Sequence, residues 1–325
     1  MMMRDAYGRD FSYLRLSVTD VCNFSCSYCL PDGFRKKPGP SFMGLDEIRR
    51  LATAFAALGM WKVRITGGEP TLRKDFTDIV RTLKAIDGVK LLATTTNGYK
   101  LAKNAQKWRD AGLDAINISI DSFNAKTFHD VTGHDRLTQV MDGVEACLDA
   151  GYKSVKLNAV LLKGINDQDL GNFLDFIETR PVSIRFIELM RTGDNGDYFS
   201  KYHLPASHIT EQLEASGWVQ KTREIGAGPA QEYVHGDFAG RIGLIAPYSK
   251  DFCATCNRLR VSARGNLHLC LFSEHGISLR HFLQNDDDIP ALQDFVRQSL
   301  TVKKATHFLH EGLSGGTQKL ADIGG

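Results

Sequence analysis

Between residues 12 and 190 the 325-residue chain repeats one pattern: a short apolar, β-branched run, then a longer stretch with helical periodicity. The runs are "YLRLSVT" (13 to 19), "KVRITGG" (62 to 68), "LLATTTNG" (91 to 98), "AINISIDS" (115 to 122), "SVKLNAVL" (154 to 161) and "SIRFIELM" (183 to 190). Strands alternating with helices predict an α/β fold on a parallel sheet. In the first helix, near 45 to 58, Ile48, Leu51, Ala52, Phe55 and Leu58 share one stripe, and Gly59 stands where a C-terminal cap belongs. No G-x-G-x-x-G follows the first strand, so a curved, barrel-like βα array competes on equal terms with a doubly wound sheet. In both, a site gathers at strand C-termini. After residue 195 the alternation fades into turn-rich short pieces, which divides the chain into 1–194 and 195–325.

A net charge of +2 gives no compositional support for a non-specific grip on nucleic acid, so small molecules are the expected partners. No apolar run approaches the roughly 18 residues of a membrane span, and the opening residues lack a signal peptide's apolar stretch. The expected setting is therefore cytoplasmic and away from membranes. Seven cysteines at 22/26/29, 147 and 253/256/270 favour metal binding or catalysis over a disulfide framework.

Cys22, Cys26 and Cys29 follow the first strand with gaps of three and two. Three thiolates can hold three irons of a [4Fe–4S] cluster and leave the fourth iron open, as chemistry at a metal requires. The alternative is a zinc site completed by a residue such as His129 or His134. Strand two ends in "TGGEP", whose glycines permit close approach of a ligand to backbone.

C-x₃-C-x₂-C after strand one, with Tyr28 before the last cysteine and "GGEP" after strand two, resembles the radical S-adenosylmethionine superfamily. The resemblance implies a partial (β/α)₆ barrel and a [4Fe–4S] cluster that chelates S-adenosylmethionine. One electron would cleave the cofactor to a 5′-deoxyadenosyl radical; the protein's task is orientation. It also implies cofactor contacts from Tyr28, Gly68, Ser119 and Met190, although a strand-end serine and a core methionine have ordinary structural explanations.

Cys253, Cys256 and Cys270 repeat the incomplete set. A zinc ribbon recruiting His268 is the alternative to a second cluster. Arg258 and Arg260 follow, and on an extended backbone they point to one face, a donor pair suited to an anionic or acceptor-rich ligand.

With "GPA" at 228 to 230 and a terminal Gly324-Gly325, C-x₂-C-N-R-x-R closely resembles the GTP 3′,8-cyclase family of molybdenum cofactor biosynthesis, over nearly the whole chain. That implies a second [4Fe–4S] cluster on Cys253, Cys256 and Cys270 in a C-terminal extension, its open iron meeting guanine. Arg258, Leu259 and Arg260 would line the substrate, since guanine offers O6 and N7 as acceptors. Arg15, Arg64, Thr95 and Lys156 match positions the family uses for GTP, and Arg15, Arg258 and Arg260 would also act in catalysis. Basic residues inside apolar runs need anionic partners, which could instead be Asp20, Glu69 or Asp121. The implied reaction removes the ribose C3′ hydrogen, joins C3′ to guanine C8 and ends at 3′,8-cyclo-7,8-dihydro-GTP, a lyase chemistry. Implied partners are an electron-donor protein, cyclic pyranopterin monophosphate synthase downstream, and a second copy of the chain in a homodimer. The competitors are a peptide-maturing or RNA-modifying radical enzyme with an auxiliary cluster, and a zinc-stabilised binding module.

Cys147 lies on a helical stripe with Val140 and Val144, the place of a small buried side chain. The family's tail reaches toward the active site, and the same is expected of Gly324 and Gly325. Val21 stands where the family commonly has arginine before the first cysteine, which alters local charge but touches no ligand.

Overall fold

A computed structural model describes residues 3–36, 38–223, 226–273, 275–313 and 315–323. Strands β1 (Tyr13–Ser17), β2 (Lys62–Thr66), β3 (Leu91–Thr96), β4 (Ala115–Ser119), β5 (Ser154–Leu161) and β6 (Ser183–Glu188) pair in parallel and in sequence order. Helices α1 (Leu45–Ala57), α2 (Phe76–Lys84), α3 (Leu101–Asp110), α4 (Ala125–Thr132), α5 (Leu137–Asp149) and α6 (Leu170–Glu178) make the crossovers. A doubly wound sheet reverses its order midway; this one does not.

The C-terminal part adds α7 (Gly196–Tyr202), α8 (Ser207–Ala215), β7 (Val219–Gln220), β8 (Gln231–Val234), β9 (Arg241–Ile245), β10 (Arg258–Val261), β11 (Asn266–His268), β12 (Ile277–Ser278) and α9 (Ile289–Leu300). It extends the same sheet at both edges. β10 pairs in parallel with β1 and β9 with β6, and antiparallel β11–β12 and β8–β7 continue outward.

Alternation decides what each strand face meets. Leu14, Leu16, Val63 and Ile65 are fully buried against the helices, whereas Tyr13, Arg15 and Arg64 line a cavity on the other face. Side chains from β1 to β6, β9 and β10 all line that one cavity, so one face of these eight neighbouring strands is turned toward a common space. On α1 the expected stripe is wholly buried, and Gly59 adopts φ +89°, the left-handed conformation of a helix stop. Cys147 is buried in α5, and burial pushes its thiol up to about 12.

Candidate functional site

Parallel register places the cations in rows. Arg15 stands beside Arg260 on one side and Arg64 on the other, and the next row holds Arg258, Tyr13 and Lys62. Like charges side by side in a sheet repel. An unpaired buried cation costs several kcal/mol, roughly what burying two leucines returns, so this floor requires anions. The cavity above it measures about 580 Å³, within the range of small-molecule sites.

The three carboxylates the sequence suggests have other partners among the described residues. Asp20 faces Arg264 at 3.4 Å, Glu69 caps neighbouring loops, and Asp121 accepts from Tyr28 Oη (3.1 Å) and Val160 N (2.8 Å). Tyr13 and Glu232 serve instead. Tyr13 Oη accepts from Arg64 Nε at 2.5 Å with Lys62 Nζ 4.6 Å from its ring centroid. Burial alone would raise the Tyr13 phenol, but Arg64, Arg15 and Lys62 pull it down to about 6. Glu232 Oε1 accepts from Arg185 Nη2 at 3.0 Å and lies 3.8 Å from Lys156 Nζ. Burial and the nearby Arg185 lower the Lys156 ammonium to about 7, Glu232 only partly compensating.

Arg185 and Arg260 are each more than nine-tenths buried, line the cavity, and have a guanidinium Nε without a hydrogen-bond partner. Unsatisfied buried donors on a cavity wall suit an acceptor-rich anion such as a nucleoside triphosphate.

The first cysteine set occupies the loop after β1. Its backbone is tied to α4 by Ser25 N to Thr132 O (3.1 Å) and Ser27 N to Val131 O (2.9 Å). Gly67 and Gly68 are needed for packing against this loop: a Cβ at 67 would meet Thr19 O, and one at 68 would stand 2.5 Å from Val21 O. Glu69, fully buried, accepts from Thr71 N (3.0 Å), Thr96 Oγ1 (2.8 Å) and Asn97 N (2.7 Å), while its own N donates to Val21 O (2.7 Å). One residue thus ties the ends of β2 and β3 together through its carboxylate and to the cysteine loop through its backbone N–H. Position 21 contributes its carbonyl to this joint, a role open to any residue. Burial raises the Cys22 thiol to about 11 and Cys26 well above its usual range, with Asp121 and the other two cysteines adding to Cys26. Three half-buried cysteines outside any disulfide, with Cys26 feeling the other two, suit a cluster whose metal supplies the missing positive charge. His134 stacks on Phe24 (4.8 Å) and His129 lies 3.4 Å from Asp130; among the described residues no three Cys, His, Asp or Glu side chains are grouped for one metal ion.

The second set is held by segments that show no motif. Arg9 donates to Cys253 O (3.0 Å), Ala305 O (2.6 Å) and Lys304 O (2.8 Å), and pairs with Asp5. Thr306 Oγ1 lies 3.7 Å from Cys253 Sγ, Lys303 Nζ donates to Leu269 O, and Thr317 Oγ1 donates to Leu271 O (2.6 Å). Burial would raise Cys256, but Arg258 and Lys303 bring it down to about 7. This donor set of three thiols beside cations fits a cluster too. His268 stands opposite Arg260 across β10–β11, off the cavity wall.

Residues 16–177 match the Radical SAM superfamily, and residues 182–309 match Molybdenum Cofactor Synthesis C. The curated GTP 3′,8-cyclase of Yersinia pestis is 54% identical over 325 residues, covering 100% of both chains. The chain belongs to the GTP 3′,8-cyclase family. A second cyclase, from Pectobacterium atrosepticum, is 53% identical over 99% of each chain. This membership sets aside the zinc-stabilised module and the peptide- and RNA-modifying readings. Among solved structures, SuiB of Streptococcus suis bound to precursor peptide SuiA has TM-score 0.61 at 12% identity, covering 88% of this chain and 67% of that one. SuiB bound to S-adenosylmethionine has TM-score 0.59 at 12% identity, covering 92% and 69%. At that identity the likeness concerns the fold.

Of the positions matched to the cyclase family, Arg15, Arg64, Thr95, Lys156, Met190, Arg258, Arg260, Cys253, Cys256 and Cys270 line the cavity. Cys22, Cys26, Cys29, Tyr28, Gly68 and Ser119 lie off its wall, where β1, β2 and β4 end. Asn158, on the wall, is the register partner of Ser119 and joins the two groups. Leu259 points its side chain into the core, between Arg258 and Arg260 on β10. Gly324 and Gly325 lie outside the described residues. Lys62, Arg185, Tyr13 and Glu232 were not singled out by motif. Lys62 and Arg185 carried the same signal as Arg64, a cation inside an apolar run.

Proposed function

We propose that the chain acts as a lyase that converts GTP to 3′,8-cyclo-7,8-dihydro-GTP in this cavity, the first step of molybdenum cofactor biosynthesis. The observation that carries the site assignment is one cavity holding three thiols at one end and a floor of cations with unpartnered guanidinium donors. As a radical S-adenosylmethionine enzyme it uses that cofactor with a [4Fe–4S] cluster, for which Cys22, Cys26 and Cys29 are the proposed ligands and Tyr28, Gly68, Ser119 and Met190 the proposed cofactor contacts. Bound there, the pair supplies the radical that removes a substrate hydrogen.

In our reading Cys253, Cys256 and Cys270 hold a second [4Fe–4S] cluster next to guanine. Arg258 and Arg260, extending from adjacent rows, orient the base; the Leu259 backbone runs between them. Arg15, central in its row, connects the base pole to Arg64, and Thr95 Oγ1 accepts from Arg64 Nη1 at 3.2 Å, fixing that guanidinium for phosphate. Lys156 completes the phosphate pole. Arg15, Arg258 and Arg260 hold ribose and base in the orientation that brings C3′ to C8. The division at 194/195 is a functional one in this reading, the first part bringing the cofactor and the second the base.

A cytoplasmic setting, an electron-donor protein, cyclic pyranopterin monophosphate synthase downstream and a homodimer complete the proposal; GTP as substrate supports the first, and the near-neutral charge supports the exclusion of nucleic acid. No helix of the described residues is long and apolar enough to cross a membrane. Reduced, anaerobically reconstituted enzyme given S-adenosylmethionine and GTP should yield 5′-deoxyadenosine and a cyclised guanine nucleotide. Deoxyadenosine formation that ignores GTP, with no altered nucleotide, would overturn the assignment.

A further inference from the structure

Arg185, Gly243 and Glu232 stand in one row across β6, β9 and β8. Gly243 matters here because a Cβ would come within 3.1 Å of Arg185 Cγ; without one, the arginine lies across the sheet and reaches the carboxylate two strands away. The same carboxylate lies 3.8 Å from Lys156 Nζ, and its other oxygen accepts from Arg241 Nη1 at 3.1 Å. Two of these cations are inside the cavity with most of their surface buried, while Arg241 is half-exposed at the rim. All four residues line the cavity.

The geometry points to Glu232 as a displaceable counter-ion that occupies the phosphate pole until GTP arrives, and so sets how tightly the triphosphate binds. This rests on the reading of the cavity as the GTP site. With thiols, Arg258 and Arg260 at the base pole, Lys156 and Arg185 form the far pole, and Glu232 already engages both. Two anions on two buried cations repel by several kcal/mol at contact distance. The carboxylate is the one with a second partner outside, since Arg241 can keep it when it leaves Lys156 and Arg185. GTP binding then becomes an exchange of anions rather than a net gain of ion pairs, and only a nucleotide with enough phosphates to reach the far pole drives it.

The test uses cluster-loaded holoenzyme and compares GTP with guanosine by direct binding. Glu232→Gln keeps a hydrogen-bond acceptor for Arg185 and removes the charge. It should bind GTP about tenfold tighter or more and guanosine unchanged, and GTP should raise its melting temperature more than that of wild type. Arg241→Ala, which leaves the carboxylate on the inner cations, should bind GTP more weakly, and that loss should disappear in the Glu232→Gln/Arg241→Ala double variant. Glu232→Gln binding GTP as wild type or more weakly, with guanosine retained, overturns the inference alone. If guanosine binding is also lost through misfolding, the Arg241→Ala effect decides: GTP affinity unchanged or improved overturns the inference. Wild type that binds GTP no better than guanosine overturns the phosphate-pole reading beneath it.

Discussion

Tyr13 Oη and Arg64 Nε lie 2.5 Å apart on the cavity floor, a phenol and a guanidinium from neighbouring parallel strands both largely removed from water. With Lys62 over the ring and Arg64 and Arg15 beside it, the phenol is the group of the first two rows that these cations draw toward its ionised form.

Its pKa of about 6, against about 10 when unfolded, makes Tyr13 a source of pH-dependent stability. A depressed pKa stabilises the fold fully above the unfolded value, and the contribution is lost as pH falls through the folded one. The stability of wild type relative to Tyr13→Phe should therefore grow between pH 6 and 10 and flatten below 6. Paired thermal melts check this, with tyrosinate absorbance of the folded protein as a second readout.

Lys156, whose ammonium is lowered to about 7, bears on binding instead of folding. Above that pH the nucleotide-free site has lost a positive charge, so with Lys156 in its proposed phosphate role GTP binding takes up a proton. Affinity should fall by up to about tenfold per pH unit from pH 7.5 upward, and Lys156→Arg, charged throughout, should flatten the slope. Calorimetry in buffers of different ionisation enthalpy measures the uptake; a wild-type affinity independent of pH from 7.5 to 9 would contradict it.

Gly68→Ala places a Cβ 2.5 Å from Val21 O and 2.7 Å from Asp20 O, immediately before Cys22. The loop must shift, and the cluster proposed there should fail to load while the one proposed at Cys253, Cys256 and Cys270 should persist. Reconstituted iron should drop from about eight to about four per chain.

Arg9→Ala removes donors to the carbonyls of residues 253, 304 and 305 and leaves buried Asp5 without its 2.6 Å partner. A cost of about 3–5 kcal/mol is expected in denaturant titration, with iron lost from the second set first. Asp5→Asn combined with Arg9→Ala should recover part of the stability but not the iron.

The six strands were legible because a buried parallel strand must be apolar on both faces apart from its functional positions. The expected runs overshoot most of the strand ends by two or three residues, as at Gly67–Gly68, where backbone leaves the ladder to build the site. Both cysteine sets stand out by their spacing, but spacing alone left zinc open, and the neighbouring motifs and the family resemblance favoured clusters. The counter-ions were not legible: Tyr13 looks like any strand aromatic, and Glu232 faces Arg185 only because β8 lies two strands from β6. Nor was the clamp of Arg9, Lys303, Thr306 and Thr317, which acts largely through backbone carbonyls and leaves no pattern in side-chain chemistry.

The sheet receives its outer parallel strands last. While the ribosome has delivered only the first 190 residues, β1 and β6 are both bare edges offering open ladders to any other strand nearby. β9 and β10 close them when residues 241 to 261 emerge. A chain interrupted before that point would be hazardous as well as inactive, and strands whose residues line the cavity serve first to quench two sticky edges.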